Sequence, residues 1–153
     1  LLRTTQSVVS GSVVLFYALA NTHFADGWRP DDMDIYCPLV AAVPLLDYLV
    51  QHEKYTVHGR HYAHNSGIAA VIHLARADGT NVDLVCSARP SALAPLPSFW
   101  STLVLNYASA DALCVVYPHL TLRGRACLNP RFATRARTAR CVEKYTARGF
   151  SVR

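Results

Sequence analysis

The chain has 153 residues, of which 52% are hydrophobic and 16% charged, and this balance excludes a predominantly disordered protein. A single domain is the simplest organisation for this length. The longest apolar runs, 13–20 and 38–46, are far shorter than the roughly 20 residues that span a bilayer. We therefore expect no membrane partner.

The positive charge is concentrated at the C-terminal end. Residues 121–153 contain nine Arg or Lys residues and one acid, a net charge of +8, whereas the whole chain carries +5, so residues 1–120 carry −3. Two interpretations stay open: a segment that binds RNA, another polyanion or phosphates at an acidic site, and the solvated face of a helix. We predict a core over residues 1–120 and a basic helical extension of the same domain over 121–153.

The cysteine pattern bears on the redox environment. Five cysteines, an odd number, occur without CxxC spacing, which favours free thiols over disulfides or a zinc site. Three of them, Cys37, Cys86 and Cys114, lie in apolar runs that are typical of buried strands. With no leader-like stretch in the sequence, we expect an intracellular protein, cytoplasmic or nuclear.

Strands and helices alternate in the first half of the predicted fold. The sequence predicts a strand over 4–10, a helix over 13–20 capped by Ser12, a loop over 21–31, a strand over 32–37 stopped by Pro38, and a helix from about Pro44 to Lys54. Within that last helix, four apolar residues (Leu45, Leu46, Leu49 and Val50) form one stripe.

The second half begins with a polar and aromatic segment, 55–66, which we interpret as a partly solvated loop. Apolar runs over 68–75 and 81–87 flank an Asp78-Gly79 turn and predict a hairpin. The remaining predicted elements are a loop over 90–97, a helix over 99–108 capped by Ser98, a short apolar run over 113–117 and a basic helix over 133–149 that ends at Gly149. This order predicts an α/β (α+β) domain with a small mixed sheet packed by helices.

The predicted second strand begins with two acids, Asp32 and Asp34. Residues two apart in a strand share a face, so both carboxylates point one way while Met33 and Ile35 point into a core. Neighbouring carboxylates repel, which is costly unless a cation or a proton lies between them. Mg²⁺ prefers carboxylate oxygens; a solvated strand edge or a capping role is the alternative.

Two further features accompany this pair. Asp83 is an acid within an apolar strand, so its carboxylate must be ligated, paired or exposed on one face. Gly11-Ser12 lies between a predicted strand and a predicted helix, where backbone N–H groups bind anions and a glycine admits a phosphate. An ordinary loop is the alternative for Gly11-Ser12 taken alone.

In this order, Gly11-Ser12, Asp32-Met33-Asp34-Ile35 and Val82-Asp83-Leu84 resemble the signature of the nucleotidyltransferase fold of the DNA polymerase beta superfamily. Other stretches are similar to a group of uncharacterised fungal proteins with this domain. They are Ser10-Gly11-Ser12, Trp28 to Tyr36, Phe99 to Asn106, Tyr117 to Thr121 and Lys144 to Phe150.

The resemblance implies a nucleotidyltransferase-like fold and a metal-dependent activity. Asp32, Asp34 and Asp83 would bind Mg²⁺ or Mn²⁺ and act in catalysis, and Gly11 and Ser12 would hold the triphosphate of a nucleoside triphosphate such as ATP. The expected reaction transfers a nucleoside monophosphate to the hydroxyl group of an unknown acceptor.

A catalytically silent module that binds nucleotide or nucleic acid is the alternative function. The 19 residues between Ser12 and Asp32, more than is usual in that superfamily, and the lack of an obvious acceptor-binding domain favour it.

Two other candidates are weaker. His58, His61 and His64 recur every three residues and have ligands that suit Zn²⁺, but a solvated loop is the favoured interpretation. Trp28 has two open interpretations, a stacking surface for a base and an anchor for its own loop.

Overall fold

A computed structural model of the protein describes residues 1–62 and 67–153. The strands are β1 (Val8–Ser10), β2 (Met33–Pro38), β3 (Thr56–Tyr62), β4 (Ile68–Ala75), β5 (Asn81–Ser87), β6 (Tyr107–Ala108), β7 (Leu113–Cys114), β8 (Arg125–Ala126) and β9 (Ser151–Val152). The helices are α1 (Ser12–Ala18), α2 (Ala42–Gln51), α3 (Pro118–Thr121) and α4 (Ala136–Ala147). The predicted mixed α/β class is confirmed.

Seven strands form one mixed sheet in the order β3-β4-β5-β2-β1-β6-β7. The central strands β2 and β5 run parallel, and the other neighbours in this sheet are antiparallel. Asp34 of β2 lies beside Asp83 of β5, which in turn lies beside His73 of β4, and Ser10 of β1 lies on the other side of Asp34. The register therefore places two acids and an imidazole in one row across the sheet.

One face of the sheet packs against α2. Alternate residues of β2, β4 and β5 meet the apolar stripe of α2, where Leu45 and Leu49 are buried as predicted. Ile35 belongs to this cluster and Met33 packs against it. Because side chains alternate along a strand, burial of Ile35 turns Asp34 to the opposite face.

The C-terminal segment packs onto the rest of the chain through an aromatic and aliphatic cluster. Tyr145 and Phe150 are buried with Trp28, Leu15 and Leu103. The β8–β9 pair adds parallel strand contacts next to this cluster. This packing places α4 over the face of the sheet that carries Asp34.

Several predicted bounds agree with the structure. β4 and β5 coincide with the predicted strands, and Asp78-Gly79 connects them as a hairpin turn. Gly149, with φ of +88°, ends α4, and its N–H donates to the carbonyl of Thr146 at 2.9 Å. Here the local turn chemistry alone determines where an element ends.

The predicted helix over 99–108 is wrong. Residues Thr102–Val104 form one 3-10 turn, capped by the Ser101 hydroxyl rather than by Ser98, and Tyr107–Ala108 form β6. β6 pairs with the free edge of β1, and the Ser10 hydroxyl donates to the carbonyl of Asn106 at 2.6 Å. These long-range hydrogen bonds outweigh the helical propensity of the segment.

Two other local predictions need correction. The segment predicted as a solvated loop contains β3, which pairs with β4 at the edge of the sheet; its side chains are mostly exposed on both faces, so it lacks the alternation that marks a half-buried strand. The first helix begins at Ser12 itself, and Gly11 is its N-cap without a side-chain hydrogen bond.

The thiols and the helix lengths also bear on the sequence expectations. All five cysteines lie within the described residues and are free, with Cys37 and Cys86 buried. Within residues 1–62 and 67–153, no helix combines the length and apolarity needed to cross a membrane.

Candidate functional site

Three carboxylates converge where β1, β2 and β5 meet. One oxygen each of Asp32, Asp34 and Asp83 lies within 4.8 Å of the others. Asp32 is exposed just before β2, whereas Asp34 and Asp83 are half-buried in adjacent central strands. The structure therefore brings together the three acids that the sequence analysis selected.

Gly11 makes room for one of these carboxylates. A Cβ at this position would lie less than 3.0 Å from Oδ2 of Asp34, and Gly11 has φ of +75° and ψ of −145°, a conformation essentially confined to glycine. The Asp34 carboxylate therefore packs directly against the turn between β1 and α1. Ser12, the other predicted phosphate contact, lies in the first turn of α1 and lines a cavity that opens over these carboxylates.

Burial and mutual repulsion disfavour the ionised forms of Asp32 and Asp34. Burial, followed by the charges of Asp32 and Asp83, raises the pKa of Asp34 to about 7, against a smaller lowering by Arg137. Burial, followed by the charge of Asp83, also raises the pKa of Asp32. The site therefore favours either a retained proton or a bound cation.

Asp83 has a partner that the sequence analysis did not identify. His73 Nδ1 lies 2.6 Å from Oδ1 of Asp83. The Asp78-Gly79 turn fixes the register of the hairpin, and in that register residue 73 lies beside residue 83. The turn and the single polar residue of the Ile68–Ala75 run were therefore the signal for this pair.

A cavity of about 430 Å³ opens over the carboxylates. Gly11, Ser12 and the three acids line one side of it. Three basic residues of the C-terminal segment line it as well: Arg135, Arg137 and Lys144. Aromatic side chains complete its wall: Tyr36, Phe99, Trp100, Phe132 and Tyr145.

A second cavity, of about 490 Å³, adjoins Asp32 and Asp83. It is lined by His58, His73 and Asn81 together with Asp31. None of its lining residues among the described part of the chain is Arg or Lys. Asp32 and Asp83 therefore line both cavities, of which the first contains basic residues and the second contains no Arg or Lys among the described residues.

Ion pairs connect α4 to the segment that precedes β2. Lys144 Nζ lies 2.6 Å from Oδ2 of Asp31, and an Arg148 guanidinium nitrogen lies 3.7 Å from the same oxygen. The hydrogen bond from Lys144 lowers the pKa of Asp31. Arg148 also stacks on Trp28, with its guanidinium carbon 4.3 Å from the ring centroid.

The weaker sequence candidates have other surroundings. Trp28 is buried, donates to the carbonyl of Phe24 at 2.7 Å and packs against Phe16, so it anchors its loop. His58 and His61 are exposed on β3, and His58 contacts the Thr56 hydroxyl at 3.1 Å. His64 lies outside the described residues.

No protein-family model matches this chain, and no similar curated protein was found.

Proposed function

We propose that this protein is a metal-dependent nucleotidyltransferase-like domain that binds a nucleoside triphosphate, such as ATP, and transfers its nucleoside monophosphate to a hydroxyl acceptor. The observation that carries the proposal is the convergence of Asp32, Asp34 and Asp83 within 4.8 Å. The resemblance of these positions to the superfamily signature supports the same assignment.

The donor set fits Mg²⁺ or Mn²⁺. Both are hard cations that prefer carboxylate oxygens, with Mg–O distances of about 2.0–2.1 Å. Burial of Asp34 beside two other acids raises its pKa to about 7, and a cation held by Asp32, Asp34 and Asp83 would relieve that repulsion. When bound, the cation stabilises charge on the attacking and leaving oxygens.

The basic residues of the cavity fit a polyphosphate. Arg135, Arg137 and Lys144 line the same cavity as Gly11 and Ser12, so a triphosphate there would lie between cationic side chains and the carboxylate cluster. Lys144 is already paired with Asp31, which leaves Arg135 and Arg137 as the stronger candidates for phosphate contacts. Arginine binds phosphate oxygens through paired N–H donors.

The aromatic wall of the cavity fits a nucleobase. Phe99 and Phe132 are half-buried there, and base stacking on an aromatic side chain contributes about 1–3 kcal/mol per base. Stacking tolerates every base because each has a π face. We therefore assign the aromatic residues to general nucleotide affinity rather than to base choice.

The proposed transfer balances as a substitution at the α-phosphorus. The acceptor oxygen forms a bond to that phosphorus, the bond to the pyrophosphate oxygen breaks, and the hydroxyl proton leaves to a carboxylate or to water. Asp32 and Asp83 are the candidate proton acceptors, because both line both cavities and would face an acceptor that enters from the second one.

The silent binding module is the second candidate function. It is favoured by the arginines, which would hold a nucleotide or the backbone of RNA whether or not transfer occurs. Several of the basic residues after Thr121 are exposed beyond the cavity, including Arg123, Arg125 and Arg140. They are the proposed contacts for RNA or another polyanion.

Label transfer tests the proposal and separates these two functions. The protein is incubated with each nucleoside triphosphate labelled at the α- or the γ-phosphate, with Mg²⁺ or Mn²⁺, and with RNA, itself or small hydroxyl compounds as acceptors. Nucleotidyl transfer attaches the α-label and not the γ-label to an acceptor and releases pyrophosphate. Metal-dependent binding without label transfer would favour the silent module.

Matched variants make this experiment specific. Asp34→Asn and Asp83→Asn should abolish transfer, because each removes a carboxylate from the cluster. Asp47→Asn makes the same chemical change on α2, outside both cavities that contain the cluster, and should transfer label normally. Transfer that persists in Asp34→Asn would contradict the assignment.

A further inference from the structure

We propose that His73 is a positioning residue for Asp83. Its hydrogen bond holds the Asp83 carboxylate in the orientation in which that group binds a divalent cation together with Asp32 and Asp34. This inference rests on the proposed function, because it concerns the same carboxylate cluster.

The donor and the acceptor of this hydrogen bond follow from the chemistry of the two side chains. His73 Nδ1 and Asp83 Oδ1 are 2.6 Å apart, and the two side chains are 39% and 26% exposed. In the ionised form that would bind a cation, the Asp83 carboxylate only accepts hydrogen bonds, so Nδ1 of His73 is then the donor. Oδ2 of Asp83 accepts no hydrogen bond from any residue in the described part of the chain, which leaves it free for a cation.

The fold holds the imidazole in place from both sides. Asp83 lies beside His73 in the register of β4 and β5. On the other side, the His61 ring of β3 packs edge-on against the His73 ring, with centroids 5.1 Å apart. Gly59, opposite His73 in β3, leaves space next to the ring, since even an added Cβ would only touch it at 3.7 Å.

The composition of β4 indicates that this histidine is not a general packing residue. His73 is the single polar side chain in Ile68–Ala75. Its neighbours Ile72 and Leu74 are buried in the cluster with α2, so the alternation of the strand turns His73 to the carboxylate face. A partner that orients a ligating group commonly changes metal affinity by about 10–100-fold.

Two substitutions separate the hydrogen bond from the ring. His73→Phe retains a ring against His61 but has no donor. His73→Asn loses the ring but can place an amide nitrogen where Nδ1 lies. Binding of Mn²⁺ to each full-length variant is measured from the loss of the free-ion signal in electron paramagnetic resonance, after circular dichroism has established that the variant is folded.

We expect His73→Phe to weaken Mn²⁺ binding by about 10–100-fold and His73→Asn to retain most of the wild-type affinity. His58→Phe is the matched control and should bind Mn²⁺ like the wild type. His58 lines the second cavity together with His73, but it contacts the Thr56 hydroxyl and not Asp83. If His73→Phe does not fold, His73→Gln, whose donor lies one bond further out, replaces it with the same expectation.

The outcomes distinguish this inference from the proposed function. Two results would overturn the role of the hydrogen bond while leaving the metal site in place. One is wild-type Mn²⁺ affinity in His73→Phe, and the other is a loss of Mn²⁺ affinity in His73→Asn as large as that in His73→Phe. An equal loss in His58→Phe would overturn the specificity for His73. Absence of saturable Mn²⁺ binding to the wild type would overturn the proposed function, and this inference with it.

Discussion

At the scale of single residues, the site depends on how closely Asp34 approaches Gly11. Gly11→Ala should lower the free energy of unfolding by about 1–3 kcal/mol through backbone strain alone, and further through overlap of its Cβ with the Asp34 carboxylate. It should also weaken Mg²⁺-dependent ATP binding, because Asp34 must move. Urea unfolding and calorimetric titration measure the two effects.

Gly27→Ala is the control for this prediction. Gly27 also has a positive φ, +73°, but an added Cβ would meet nothing within 4 Å. Its substitution should therefore cost backbone strain without changing nucleotide binding. Equal effects of the two substitutions on ATP binding would contradict the role assigned to the Gly11–Asp34 contact.

The raised pKa of Asp34 predicts an unusual pH dependence of stability. The folded protein keeps the Asp34 proton until about pH 7, whereas the unfolded chain releases it near the ordinary carboxyl pKa of about 3.9. Without divalent cations, the wild-type free energy of unfolding therefore falls as the pH rises from about 4 to 7. Asp34→Asn removes this loss and should be more stable above pH 7, by about 4 kcal/mol at most.

The measurement is urea unfolding at a series of pH values with a chelator present. The difference between Asp34→Asn and the wild type should grow with pH and then level off above pH 7. A constant difference across the range would mean that folding does not raise the pKa of Asp34.

The sequence predicted some residue contacts and missed others for physical reasons. The shared face of Asp32 and Asp34 follows from the period of a strand. The contact of Asp34 with Asp83 requires the parallel pairing of β2 and β5, which no local turn specifies. The contact of His73 with Asp83 could have been predicted from the sequence, because a hairpin turn fixes the register of its two strands.

At the scale of elements, α4 supplies the charge that faces the carboxylates. Arg137→Glu should weaken ATP binding by at least about tenfold, since it removes a charged phosphate contact and adds an anion near Asp34. Arg140→Glu makes the same change on the same helix at an exposed position outside the cavity and should have a small effect that salt removes. Equal weakening by both substitutions would indicate a general charge effect.

Elements were predictable where turn chemistry determines them. The hairpin of β4 and β5 and the end of α4 at Gly149 follow from Asp78-Gly79 and from the left-handed glycine. Strand β3 was missed because its mostly exposed side chains show no alternation. The 99–108 segment was mispredicted because its structure depends on pairing with β1, which is distant in the chain. Local propensity carries no information about such partners.

At the scale of the whole molecule, a hydrophobic cluster joins the C-terminal segment to the core. Tyr145→Ala should lower the free energy of unfolding by about 3–5 kcal/mol, because Tyr145 is 5% exposed and packs against Trp28, Trp100 and Phe150. Tyr17→Ala, at a tyrosine that is 65% exposed, should have little effect.

Unfolding followed by tryptophan fluorescence and by circular dichroism tests whether residues 121–153 extend the same domain. Coincident transitions are expected if the tail and the core unfold together. Separate transitions, or a stable core in Tyr145→Ala with the tail detached, would contradict a single cooperative unit.

The most direct test of the proposed metal site is calorimetric titration of ATP into the wild type and Asp34→Asn, each with Mg²⁺ and with a chelator. We predict saturable binding to the wild type that requires Mg²⁺ and is lost in Asp34→Asn. Binding of equal strength in all four titrations would contradict a metal site at Asp32, Asp34 and Asp83.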